Sequence, residues 1–191
     1  MSRKMTTKKG VTKIMLQVGV IGIGNTGNQI AALAYDKLRI PVLAVNSSEK
    51  DLETLDAAIP KKLISDGNSQ GAGKNRQRAK QYLKNSIMEF MSSKEIQTFI
   101  SDLDVLFVIS STGGGTGSGA SLVMTNILAS MFADVTVISV GILPVIGEAL
   151  SAHVNTLEYL TELYENLDNP TYMLYDNDKY SNLPSYKMME K

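Results

Sequence analysis

Glycine is the residue whose placement in this chain carries chemistry. Three clusters stand out: Gly19, Gly22, Gly24 and Gly27; Gly67, Gly71 and Gly73; and Gly113, Gly114, Gly115, Gly117 and Gly119. Clustered glycines mark loops that need unusual dihedrals or a close approach to a ligand, because the missing Cβ lets main-chain N–H groups reach it. Gly22-Ile23-Gly24-Asn25-Thr26-Gly27 reads GxGxxG. Between a strand and a helix, that pattern aims N–H groups and the positive end of a helix dipole at an anion, most often a diphosphate. A tight strand-to-helix turn is the plain alternative. Gly113-Gly114-Gly115-Thr116-Gly117-Ser118-Gly119 adds the hydroxyls of Thr116 and Ser118 to its glycines. Two such loops on neighbouring strands of one sheet can close over a triphosphate. A dinucleotide-binding domain needs only the first loop, and expects an acid about 20 positions later, ending the second strand, to hold a ribose. Here the second apolar run ends at Asn46, with acids only at Glu49 and Asp51, so the dinucleotide reading fits poorly.

The elements that must position these loops follow from periodicity. Ile14–Ile21, Pro41–Val45, Val105–Ser110 and Val135–Leu143 are continuous apolar runs rich in β-branched residues, which predicts buried parallel strands. Weaker strands are expected at Lys62–Ser65 and Thr171–Tyr175. Helical spacing predicts helices over Gln29–Arg39, Glu49–Ala58, Asn75–Met91, Ser93–Ile100, Ala120–Phe132 and Glu148–Asn166, and a further helix beginning in Asp176–Lys191. Alternating strands and helices give an α/β fold, a mostly parallel sheet flanked by helices.

Composition narrows the function. The 191 residues carry 19 Lys+Arg against 19 Asp+Glu, with 43% apolar residues. That balance gives no electrostatic reason to expect nucleic acid or a membrane surface. Without cysteine and with one histidine, there is no thiolate or His-cluster metal site, and a Ser-His-Asp triad is excluded as the working hypothesis. No apolar run spans a membrane and the basic start MSRKMTTKKG is no secretory signal, so a cytoplasmic protein is expected. Gly67–Asn75 lacks the glycine spacing and terminal hydroxyl of a P-loop. Lys74, Arg76, Arg78 and Lys80 read as a solvated helix face, with a filament contact or help to a terminal phosphate as the alternative. His153 reads as a surface or packed histidine. Met88, Met91, Met124 and Met131 read as helix cores, and Arg3, Lys4, Lys8, Lys9 and Lys13 as a flexible basic arm.

In this context the chain resembles the tubulin/FtsZ superfamily. GGGTGSG at 113–119 is similar to its signature loop, IGIGNTGN at 21–28 to the first nucleotide loop of FtsZ, and AVNSSEKDL at 44–52 to the second. GNSQGAGKN at 67–75 resembles the third loop, and NPTYMLYDND at 169–178 the strand that enters the long central helix. Detail around these motifs is more similar to the TubZ/PhuZ group of phages and plasmids. The resemblance implies a Rossmann-like GTP-binding domain over 14–176, a basic arm at 1–13 and the start of the central helix at 177–191. It implies GTP/GDP and Mg2+ as ligands, the ion being held through phosphates and water. Gly24, Asn25, Thr26 and Asn28 would hold the nucleotide at the first loop, with Asn28 close to the base side. Gly113, Gly114, Gly115, Thr116, Gly117 and Ser118 would bind the β-phosphate and its neighbours. Gly71, Ala72 and Gly73 would approach the γ-phosphate, and Asn46 would lie near phosphates and magnesium. Glu148 resembles the ribose acid and Asn177 the guanine-reading amide, which offers donor and acceptor together.

Two departures accompany the resemblance. Ala152 stands where FtsZ has a sugar- and phosphate-holding arginine, leaving Ser151, His153 or Asn155 as substitutes. The family's synergy loop, whose acids position the attacking water on the next subunit's nucleotide, is expected beyond Lys191, as is the second domain. The implied protein is a filament-forming GTPase whose partner is itself or a full-length homologue, head-to-tail, with any adaptor unknown. Its hydrolysis would need a neighbouring subunit, so this chain alone would have low or no activity. The alternative is a non-catalytic regulator or cap of such filaments.

Overall fold

A computed structural model of the chain describes residues 5–8, 11–67, 70–165 and 171–180. In chain order the elements are β1 (Met5–Lys8), β2 (Val11–Ile14), β3 (Val18–Ile23), α1 (Gly24–Leu38), β4 (Val42–Asn46), α2 (Glu49–Glu53), β5 (Lys61–Leu63), α3 (Arg76–Ser92), α4 (Lys94–Ser101), β6 (Val105–Ser111), α5 (Thr116–Met131), β7 (Thr136–Leu143), α6 (Leu150–Glu165), β8 (Thr171–Asp176) and a 3-10 turn, Asn177–Tyr180. Strands β3 to β8 form one sheet in the order β5-β4-β3-β6-β7-β8, every pair parallel. The chain starts this sheet in the middle, builds outward to β5, then returns to place β6 on the other side of β3. That reversal is the switch point of a doubly wound sheet, where ligands bind beyond the carboxyl ends of the strands.

The strands are apolar on both faces because both are covered. Ile21, Ile23, Leu43, Val45, Leu106 and Val108 pack under α3, α4 and α5 with Ala79, Leu83, Phe90, Ile96, Met124 and Leu128. Their alternate neighbours Val20, Val42 and Ala44 face the other way, onto Ala31 of α1 and onto Leu52, Leu55 and Ile59. Helix α6 joins the first layer beside α5 through Leu122, Tyr159 and Leu163. Among the described residues no helix is long and apolar enough to cross a membrane.

Several boundaries differ from the sequence reading, each for a local reason. The first sheet strand begins at Val18, not Ile14. Met15 and Leu16 are exposed, and the sheet edge is set where the Asp104 and Val105 N–H groups donate to the Gln17 carbonyl. Residues Val11–Ile14 instead pair antiparallel with Met5–Lys8, so the described part of the basic arm is a hairpin; residues 1–4, 9 and 10 lie outside the described residues. Helix α2 stops at Glu53 instead of Ala58, because the Asp56 carboxylate accepts from the Ala58 N–H and turns the chain. Helices α1 and α5 begin inside the glycine loops, at Gly24 and Thr116, a full turn before the apolar spacing starts. Helix α6 begins at Leu150, not Glu148. Of the expected central helix, only the turn Asn177–Tyr180 falls among the described residues; 181–191 lie outside them.

Tyr159 makes the core beside α5 sensitive to alkali. Its ring is 1% exposed, with its hydroxyl 3.5 Å from the Ser139 Oγ, and burial pushes that hydroxyl above the usual tyrosine value of 10.0. The unfolded chain therefore loses this proton first. The stability held by the neutral phenol is complete below about pH 10 and drains away as pH rises beyond it. Tyr159→Phe is expected to flatten the fall in denaturant midpoint between about pH 9 and pH 11 relative to the parent chain.

Candidate functional site

Strand β3 hands over to α1 at Ile23–Gly24, and its neighbour β6 hands over to α5 through Thr112–Gly115. Both helices therefore start at the carboxyl edge of the sheet, side by side at the switch point. No side chain caps either helix, and neither has an acid in its first turn. The first N–H groups of a helix have no acceptor within it, and they carry the positive end of its dipole. Two such ends, converging without a built-in anion, suit a polyanionic ligand.

The loop from Gln70 to Asn75 supplies the third wall. It is tied to the end of β4 by the Gly71 N–H, which donates to the Ser47 carbonyl at 2.9 Å. Together the three loops enclose a cleft of about 410 Å³, within the size range of small-ligand sites. Gly24, Asn25, Thr26, Asn46, Gly71, Ala72, Gly73, Gly113, Gly114, Gly115, Thr116, Gly117 and Glu148 all line it. So do Ser48, Gln70 and Ser111, to which the sequence assigns no role, together with Asp51 and with Lys74, whose basic run has help to a terminal phosphate as its alternative reading.

Several of the glycines serve close packing of the loops against neighbouring backbone. A Cβ on Gly115 would stand 2.8 Å from the Lys74 Cα and 2.9 Å from the Asn75 nitrogen. One on Gly113 would stand 2.9 Å from the Ala152 Cβ. Gly24 sits at φ 74° with its missing Cβ 2.9 Å from the Gly117 nitrogen, so the first and second loops touch through main chain alone. Gly114 differs: nothing stands within 4 Å of the position its Cβ would take, and it faces the open cleft.

Three expected site residues do not line the cleft. Asn28 is 2% exposed; its amide donates to the Val45 carbonyl at 3.2 Å and accepts from the Val45 N–H at 3.1 Å. Both ends of the side chain are thus used to lock α1 onto β4, below the floor of the site. Ser118 is fully buried and its hydroxyl donates to the Gly114 carbonyl, closing the second loop from inside. Asn177 is half-buried in the turn after β8, at the same carboxyl edge. Of the residues lining the cleft, Thr116 shares a hydroxyl hydrogen bond of 2.6 Å with the buried Ser47, the Asn46 amide donates to Asp51 at 3.3 Å, and Glu148 accepts from the Val145 N–H at 3.2 Å.

The basic run Lys74–Lys80 is not a uniform solvated face. The Arg76 side chain is 3% exposed and reaches Glu158 at 3.3 Å and Glu162 at 2.7 Å, while its Nε and Nη2 donate to the Ser118 carbonyl. Lys80 joins Glu162 at 2.8 Å. These ion pairs bind α3 to α6 and to the first turn of α5. The sequence holds a signal for them: Arg76/Lys80 is a basic pair and Glu158/Glu162 an acidic one, each four residues apart on one face of its own helix. Asn155, offered as a substitute for the missing family arginine, is 8% exposed and reaches the loops: its Nδ2 lies 3.0 Å from the Lys74 carbonyl and 3.1 Å from those of Gly113 and Gly114.

Comparison with known proteins agrees with this architecture. Residues 17–184 match the family model described as the Tubulin/FtsZ family, GTPase domain. The tubulin-like protein CetZ of Methanothrix thermoacetophila is 30% identical over 168 residues, covering 79% of this chain and 45% of that protein. CetZ of Pyrococcus horikoshii is 28% identical over 155 residues, covering 78% and 42%. Among solved structures, CetZ2 from Haloferax volcanii in a GTPγS bound protofilament superposes with a TM-score of 0.78 at 25% identity, covering 92% of this chain and 54% of that one. TubZ of the Clostridium botulinum phage c-st superposes at 0.74 with 24% identity, covering 85% and 54%, a likeness of fold alone. The chain thus spans about half the length, or less, of the relatives it matches. With CetZ sequences matching and TubZ a neighbour in fold, the expected TubZ/PhuZ subgroup gains no specific support. A doubly wound sheet, two uncapped helices over one cleft and a family match across most of the chain converge: this chain belongs to the tubulin/FtsZ family, as its GTPase domain.

Proposed function

We propose that this domain binds GTP in the cleft between its three glycine-bearing loops, and that assembly with a neighbouring subunit turns binding into hydrolysis. The observation that carries the reading is the pair of uncapped helix starts, Gly24 and Thr116, facing one cleft whose open wall at Gly114 is bare main chain. Residues 113–117 and 24–26 would take the phosphates, Gly71–Gly73 the γ-phosphate side, Glu148 the ribose and Asn177 the guanine. Asn28 and Ser118 act beneath them, holding the loops that touch the ligand. No group of three or more His, Asp or Glu among the described residues could hold a metal ion, so magnesium would arrive on the phosphates, with Asn46 and Asp51 beside it. Bound there, magnesium would offset phosphate charge. Phosphoryl transfer to water is mostly positioning and charge stabilisation, which suits a cleft built from N–H groups and hydroxyls.

Head-to-tail contact with a second copy or a full-length homologue would complete the site. By this reading the 191 residues alone turn GTP over slowly or not at all, and a full-length homologue accelerates it. Phosphate release and light scattering, measured with the chain alone and with such a homologue, test this. Turnover by the chain alone at the rate of an assembling homologue would overturn the need for a neighbour. Scattering that grows on mixing supports assembly, and scattering that falls supports capping.

A further inference from the structure

We propose that Asn155 is a positioning residue that lets the site favour a nucleoside triphosphate over a diphosphate; the proposal rests on the reading of the cleft as a GTP site. Asn155 sits on α6, outside all three loops, yet its Nδ2 donates to Lys74 in the third loop and to Gly113 and Gly114 in the second, all within 3.1 Å. Its two hydrogens are shared among three carbonyls, of which that of Gly114 also accepts from the Ser118 hydroxyl.

What Asn155 holds is a strained turn, closed within the loop by the Asn75 N–H, which donates to the Ala72 carbonyl at 3.0 Å. Gly73 and Lys74 are consecutive left-handed residues, at φ 59° and φ 58°. For lysine that conformation is unfavourable because its Cβ crowds the following carbonyl oxygen, so the turn persists only while its surroundings fix it. The Lys74 carbonyl is where Asn155 attaches. Directly behind, Gly115 leaves room for the Lys74 and Asn75 main chain to press against the second loop. The third loop is thus clamped between the signature loop and a buried amide from α6. Released from the amide, Lys74 can leave the left-handed region, and Gly71–Gly73 turn away from the cleft. The second loop keeps further ties, including Ser118 to Gly114 and the Gly113 N–H to Ser111. The third loop keeps its ties at Gly71 and Asn75, but it alone of the two carries a left-handed non-glycine residue, Lys74, so loss of Asn155 falls mainly on the third wall, the one read as facing the terminal phosphate.

The test is Asn155→Ala in the 191-residue chain, titrated with GTP and with GDP in the presence of magnesium. The proposal expects GTP affinity to fall about tenfold or more and GDP affinity less than threefold, collapsing the preference for GTP. Equal losses for both nucleotides would reduce Asn155 to a structural residue and overturn the proposal. Failure of the parent chain to bind GTP would instead strike the reading of the cleft. Hydrogen exchange in the nucleotide-free chain gives a readout independent of ligand. Asn155→Ala, or the milder Asn155→Ser should alanine fail to fold, must speed exchange at 71–76 more than at 116–120. Unchanged exchange at 71–76 would overturn the proposal.

Discussion

Gly114→Val is expected to weaken GTP binding at least tenfold while leaving the denaturant midpoint within error of the parent chain. The two effects separate because of where this glycine sits. Its missing Cβ points into open space, and its φ is not in the left-handed region, so a Cβ there meets no clash and the branches of valine start from open space. The same branched side chain would stand in the cleft, over main chain that the ligand must approach. Displacing a ligand from even one or two good N–H contacts costs more than the 1.4 kcal/mol that corresponds to tenfold. Gly115→Val, one residue on, is the internal control. Its Cβ would be driven against the Lys74 and Asn75 backbone, so it should lower stability by about 1–3 kcal/mol. Titration with a fluorescent GTP and urea unfolding of both variants check the pair. A Gly114→Val protein that binds GTP like the parent would remove the signature loop from the site.

Arg76→Met is expected to give the largest loss of stability of any single polar substitution in the domain. The guanidinium is buried, pairs with Glu158 and Glu162, and satisfies the Ser118 carbonyl at the start of α5. Methionine matches much of the volume but removes the guanidinium's hydrogen bonds to that carbonyl and its pairing with Glu158 and Glu162. Lys80 still neutralises part of Glu162, which keeps the cost at about 3 kcal/mol, the lower end for breaking a buried pair. For a domain of this size that is a fall in Tm of roughly 6–12 °C. Arg78→Ala, two residues along on the exposed side, should stay within about 0.5 kcal/mol of the parent. Equal Tm values for the two variants would contradict the latch role of Arg76.

The fold was legible because parallel strands buried on both faces announce themselves as unbroken apolar runs, and each of β3, β4, β6 and β7 was. The glycine loops were legible as loops, but not for the whole of what they do. Glycine in a sequence shows that a Cβ is absent, not whether the vacated space faces a ligand or another backbone. Gly114 is the first case; Gly113, Gly115 and Gly117 also fill the second. Helix starts were misread for a related reason: the first turns of α1 and α5 are made of glycine, serine, threonine and asparagine, whose low helix propensity masks a start fixed by the sheet. The contacts of Asn28 and Arg76 are not legible in the sequence because their partners are distant in it, Val45 at 17 residues and Ser118, Glu158 and Glu162 at 42, 82 and 86. Only folding brings them together. Asn46 at the end of β4 did transmit its message directly: a ribose-holding acid is absent from the place a dinucleotide fold requires it.

The most direct test of the account is a titration of the purified chain with fluorescent GTP and magnesium, competed in turn by GTP, ATP and NAD. The account predicts saturable binding displaced by GTP and not by ATP or NAD. Displacement by NAD, or the absence of any binding at millimolar nucleotide, would contradict it.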